Sequence, residues 1–253
     1  MEKFNQKSSS ILLIGSVLIL TGCAGDPVPI SEALSDRNSF INKNYAPTSI
    51  SESVFKKLPL DRTEKQKKDI EIYFKSHVEG VSGKALDRKL INKYSILGNG
   101  LVQIMEEYSS NEIPNFYRFS ISYEGLEEIK WLDALPGELN TRMPMEIKEI
   151  TTWSRFDTGK KYTAIFKSGR VMQIANYDSN KTICEVGEKF NAKNLHPKFS
   201  GNAFNLECIY SINGLVALKS HKVFIQDLGL AVPVDTITSS LKETLTVVDV
   251  SGI

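Results

Sequence analysis

Histidine, cysteine and net charge are all scarce in this chain, and each scarcity removes a class of function. The 253 residues include three histidines. His77, His196 and His221 fall in no H-E-x-x-H or H-x-x-H pattern, so zinc hydrolysis has no support. There is no G-x-S-x-G elbow and no P-loop. Gly98-Asn99-Gly100 begins like a dinucleotide fingerprint, but Gln103 stands where the third glycine belongs, and a turn accounts for it. Two S-x-x-K tetrads, Ser53 to Lys56 and Ser239 to Lys242, lack the S-D-N and K-T-G partners that would give them chemistry. No catalytic residue, metal ligand or cofactor is read from these patterns. The 31 basic and 30 acidic residues nearly cancel and form no basic block. Nucleic acid is excluded as a partner on that ground, because its binding rests on phosphate neutralisation. Docking on anionic lipid by charge is excluded in the same way. No apolar run approaches the ~18 residues of a spanning helix.

What is present begins at the first residues. Lys3 and Lys7 precede the apolar run Ile11 to Leu20, broken by Gly15 and Ser16, and Leu20-Thr21-Gly22-Cys23 follows. This is the order of a secretory signal, with Glu2 diluting its basic start. Ten residues span only ~15 Å as a helix, about half a hydrocarbon core. The last four residues resemble the lipobox of bacterial lipoproteins. That resemblance implies cleavage before Cys23 and lipidation of its thiol; an ordinary secretory cleavage at Thr21-Gly22 is the rival. It further implies the outer membrane, since Ala24 rather than Asp follows the Cys. The body would then be held in the periplasm or at the cell surface by acyl chains, each buried CH₂ contributing ~0.8 kcal/mol.

With Cys23 given to lipid, Cys184 and Cys208 remain, an even pair in an oxidising compartment. A disulfide is expected, closing a loop of about 25 residues and contributing roughly 3–4 kcal/mol; two buried free thiols are the alternative. Neither C-x-x-C nor suitably spaced histidines suggest a metal.

Residues 23–60 read as a lipidated N-terminus and tether, rich in Pro, Ser and Asn, although Phe40, Ile41, Tyr45 and Phe55 could dock onto the body. Asp61 to Val78 reads as an amphipathic helix: Thr63 and Gln66 suit a capping box, and Ile70, Tyr73, Phe74, His77 and Val78 recur at helical spacing. Ala85 to Ile91 suggests further helical turns. Beyond Tyr94 the period shortens to two. Tyr117, Phe119, Ile121 and Tyr123 share one face, with Arg118, Ser120 and Ser122 on the other. A hairpin is expected about Lys167-Ser168-Gly169-Arg170, and another at Asn213-Gly214, whose residues tolerate positive φ. The expected fold is α+β. A helix packs on antiparallel sheet over 61–140, and a mainly-β, disulfide-stapled region, sandwich or open barrel, spans 141–253; the two could form one domain.

Candidate sites are few. Glu106-Glu107, Glu124, Glu127-Glu128 and Glu146 to Glu149 offer carboxylates for a glycosidase-like pair, which needs them ~5–10 Å apart, but Glu127-Glu128 beside Lys130 reads as a solvated face. Asp178 and Asn180 suit a turn better than a calcium loop. Tyr117, Tyr123, Trp131 and Trp153 would form a binding surface for protein or glycan if exposed, while their strand period points to core. Two functions follow. One is a non-enzymatic envelope lipoprotein that binds a protein partner, as an assembly subunit or inhibitor. The other is an envelope hydrolase acting on glycan or peptide through these carboxylates.

Overall fold

The computed structural model describes residues 30–59, 68–134, 141–151, 156–170 and 173–253; the signal, the lipobox with Cys23, and Trp153 lie outside the described residues. Alternating side chains and turn residues at short intervals make the chain fold as one antiparallel sheet. Its strands are β1 Lys68–Gly80, β2 Ala85–Gly98, β3 Leu101–Ser110, β4 Ile113–Tyr123, β5 Glu127–Ala134 and β6 Thr141–Ile150. β7 Lys161–Arg170, β8 Asp178–Asn191, β9 Asn202–Ile212, β10 Leu215–Ile225, β11 Leu230–Thr238 and β12 Leu241–Ser251 complete it. Each strand pairs with its sequence neighbours, and β1 pairs with β12 from Glu71↔Ser251 to Gly80↔Leu241, which closes a barrel. Closure removes exposed sheet edges.

Several expectations are corrected. Of the stretch read as a helix, Lys68 to Val78 is strand β1, and residues 61–67 lie outside the described residues. Ile70, Ile72 and Phe74 are buried at period two, and the strand is hydrogen-bonded on both sides, to β2 and β12. Ile70 and Phe74 satisfy either period; the two ladders decide between them. Ala85 to Ile91 is likewise strand, the start of β2. β7 runs through Gly169, because the hairpin turns later: Gln173 folds back to accept the Arg170 amide at 3.1 Å. The described strands of 61–140 and 141–253 belong to a single sheet, a closed barrel rather than a sandwich or open barrel. The Asn213-Gly214 turn forms as expected, with φ of 52° and 83°. So does the disulfide: Cys184 and Cys208 are register partners on β8 and β9, with Cα atoms 4.0 Å apart.

Within the stretch read as tether, residues 30–59 form a packed helical strap, with α1 Ile30–Ser35, α2 Arg37–Asn44 and α3 Glu52–Phe55. Asp36 caps α2 by accepting the Ser39 amide at 3.0 Å. Phe40, Ile41 and Tyr45 are buried against the Phe119 face of β3–β5, Phe40 meeting Phe119 edge-on at 5.0 Å. The barrel supplies partners for the last carbonyls of α2, which a helix cannot satisfy itself. Gln103 Nε2 donates to Tyr45 O at 3.0 Å, and Lys130 Nζ to Asn44 O at 2.7 Å. Further along, Lys57 Nζ donates to Ile147 O at 2.7 Å and Tyr123 Oη to Pro59 O at 3.0 Å.

Elsewhere the outer wall carries charge in mid-strand: Glu71 with Lys93 at 3.0 Å, Lys161 with Glu185 at 3.1 Å, and exposed Lys75 and Lys219. Such a wall suits water rather than the apolar band of a lipid-embedded barrel.

Candidate functional site

The interior is pinched. Among the described residues, β5 and β6 share only Trp131↔Arg142 and Leu132↔Thr141, and β11 and β12 only the pairs from Asp235↔Thr244 to Ile237↔Lys242. The strands peel apart beyond these seams, and the turn between β4 and β5 reaches the wall half the ring away. There the Ala231 amide donates to Glu124 O at 2.8 Å, and Lys222 Nζ donates to Gly125 O at 2.9 Å and Leu126 O at 3.2 Å. Glycine is required at the crossing: Gly125 has φ of 69°, and a Cβ there would lie 2.6 Å from Ala231 O. Two apolar clusters result. Ile70, Phe74, Val223 and Ile225 belong to one; Tyr162, Leu206 and Phe224 belong to the other, which continues beneath the strap. The end of β10 is therefore buried on both faces.

A cavity of ≈ 480 Å³ remains, its wall apolar for the greater part and set with charged and polar side chains. Tyr94, Glu106, Tyr108 and Arg118 come from β2–β4; Glu127, Glu128, Trp131 and Asp133 come from β5. Thr182, Cys208, Tyr210, Lys222 and Glu243 complete the opposite wall. At its rim Arg118 holds Asp133 by two hydrogen bonds, Nε to Oδ1 at 2.6 Å and Nη2 to Oδ2 at 3.2 Å, and approaches Glu128 at 3.4 Å. These three side chains stay about a third exposed (30, 32 and 33%), so the cavity communicates with solvent. Arg88 donates to Glu243 at 3.0 Å, and Ser76 Oγ donates to the same carboxylate at 2.5 Å.

Deeper groups are less well served. Glu127 is 7% exposed, and its Oε2 has no hydrogen-bond partner among the described residues; the same holds for Asn92 Oδ1 and the Thr182 hydroxyl oxygen in the same lining. A buried polar atom left without a partner costs about 1–3 kcal/mol, so a cluster of them marks a place for water or ligand. Burial pushes the Glu127 carboxyl up to about 8; the nearby Thr182 hydroxyl, though outside good hydrogen-bond geometry, and the Lys222 ammonium pull it back, while Glu128 adds to the rise. Burial also raises Glu106 to about 7, against the attraction of Arg118 and with the repulsion of Glu128, Asp133 and Glu243. Lys222 is pushed down by burial and drawn back up by Glu128, Glu127 and Glu106.

The aromatic residues separate. Tyr117 and Tyr123 are buried beneath the strap, so they form no exposed binding surface; Trp131 lines the cavity, and Trp153 lies outside the described residues. Of the carboxylates, Glu106, Glu127 and Glu128 meet in the cavity, whereas Glu146 pairs with Lys167 at 3.5 Å away from it. The solvated-face reading of Glu127-Glu128 is thus corrected: the crossing turn carries both inward. Arg118 was legible only as the polar side of a strand, and nothing in its spacing distinguishes lumen from solvent. Asp178 is bonded by Asn213 Nδ2 at 3.0 Å and Asn180 bonds Ser168 Oγ at 2.7 Å, both within turn and strand packing. No group of three metal-ligating side chains occurs among the described residues. No protein-family model, curated protein or solved structure matches this chain.

Proposed function

We propose that this is an envelope lipoprotein, anchored through lipid on Cys23 to the outer membrane, whose barrel is a non-enzymatic binding module with its ligand site in the interior cavity. The observation that carries the reading is the cavity itself: an interior of ≈ 480 Å³, open at a charged rim, with buried polar atoms that have no partner among the described residues. Small-molecule sites have this size and this mixture of apolar wall and few directed polar groups. A protein partner docking by strand addition fits less well, because the barrel is closed and its richest aromatic face is covered by the strap. Native mass spectrometry of the lipidated protein, extracted gently from envelopes, tests the reading. A single small adduct that is lost on denaturation is expected; a bare lipidated chain in every preparation would count against it. The anchor is tested separately, since Cys23→Ser should move the protein from the membrane to the soluble envelope fraction.

One observation favours a hydrolase as second reading. Glu106, raised to about 7, faces Glu128 and Asp133, which Arg118 holds, and a carboxyl kept protonated beside carboxylates can act as acid and base. Turnover of envelope glycan or peptide that Glu106→Gln abolishes without loss of fold would establish it.

A further inference from the structure

Resting on the binding reading, we propose that the cavity takes a small organic cation, an amine or guanidine, whose charged nitrogen meets Glu127 and Glu106 while its carbon body lies on Trp131, Leu126 and Phe166. Five carboxyl side chains line the cavity (Glu106, Glu127, Glu128, Asp133 and Glu243) against Arg118 and Lys222. The internal pairs use up part of that set. Arg118 pairs with Asp133 and approaches Glu128, and Arg88 serves Glu243. Lys222 directs its ammonium at the carbonyls of Gly125 and Leu126 rather than at a carboxylate. Glu127 and Glu106 make no ion pair among the described residues; Glu106 receives only the Tyr108 hydroxyl, at 3.4 Å. They are the surplus.

The atoms left without partners agree in sign. Asn92 Oδ1 is an acceptor, and Glu127 Oε2 becomes one once its carboxyl is ionised, so both take N–H donors from outside the protein. An anion would instead enter a space where carboxyls outnumber cations. Trp131 adds an aromatic face in the same wall, a recurrent partner of organic cations.

Cation binding in this site is coupled to protons. Glu127 is faced by Lys222 from β10, Thr182 from β8, Tyr162 from β7 and Glu128 from its own strand. Glu106 is faced by Arg118 from β4, Glu128 and Asp133 from β5, Glu243 from β12, and Tyr94 and Tyr108 nearby. A ligand cation ionises both carboxyls, so each binding event releases protons and affinity rises with pH towards about 8.

The test is titration calorimetry of the full lipidated chain in detergent micelles with putrescine, agmatine and phenethylamine, alongside citrate, decanoate and N-acetylglucosamine. Fluorescence of the Trp153→Phe variant, in which Trp131 is the sole tryptophan, follows cavity occupancy. At least one of the amines should bind about ten-fold more tightly at pH 8.5 than at pH 6, with a buffer-dependent enthalpy that reports proton release. Glu127→Gln should remove the pH dependence and weaken binding at least ten-fold while circular dichroism is unchanged. Binding of citrate, decanoate or the sugar but of none of the amines would overturn the cation and leave the binding module standing. If no probe binds and Trp131 fluorescence never responds, both fall.

Discussion

Glu127 provides a stability experiment whose sign and size follow from its position. Its carboxyl is 7% exposed and held at about 8, against an ordinary value of 4.5. A group raised on folding binds its proton more tightly in the native state, so its contribution is fully present below pH 4.5 and is lost as pH rises through about 8. At ~1.4 kcal/mol per pH unit, the loss is on the order of 5 kcal/mol between these limits. That is a large part of the ~5–15 kcal/mol by which a domain is ordinarily stable. Glutamine has the same shape and no proton to lose. The Glu127→Gln protein should therefore match the parent near pH 4.5 and gain on it steadily up to pH 8.5, where its advantage is several kcal/mol. Urea unfolding at half-unit pH intervals, followed by circular dichroism, measures the difference at each pH. Parallel curves for the two proteins would refute the burial of this carboxyl, and so would a parent whose stability is flat across the range.

Three further outcomes test the rest of the frame. Gly125→Ala should destabilise by about 2–4 kcal/mol, because left-handed strain of ~1–2 kcal/mol is joined by a collision with Ala231 O. Gly214→Ala, also at positive φ but with nothing within 4 Å, should cost only the strain; equal denaturation midpoints for the two would contradict the crossing turn. Replacing Gln103 by Leu removes a donor to the α2 carbonyls and should cost ~1–3 kcal/mol, read as faster amide exchange in residues 36–45 with the barrel strands unchanged. Reduction of Cys184–Cys208, or its replacement by two alanines, should lower stability by about 3.5 kcal/mol for a separation of 24 residues. An unchanged urea midpoint would deny that the bond constrains the unfolded chain.

Some of this was legible in the residues alone. Asn213-Gly214 fixes a turn because both residues accept positive φ, and the strands flanking it follow from simple alternation. Cys184 and Cys208 follow from parity and compartment. Local chemistry carries such features, since each needs only a few adjacent residues.

What the tertiary structure alone decided is which way each face points. Ile70 to Val78 suits a helix or a strand by spacing, and only the ladders to β2 and to β12, the latter from the far end of the sequence, select the strand. The tyrosine face of β4 was read as the core side and its polar face as the water side. In the barrel the tyrosine face turns away from the cavity, under the strap, and Arg118 turns into it. Alternation records that a strand has two faces. It does not record that a second apolar element, carrying Phe40 and Tyr45, waits to cover one of them, nor that the sheet closes around the other. Burial of Glu106 and Glu127 is likewise a property of closure: a carboxylate on a strand has an ordinary acidity until the opposite wall removes its water.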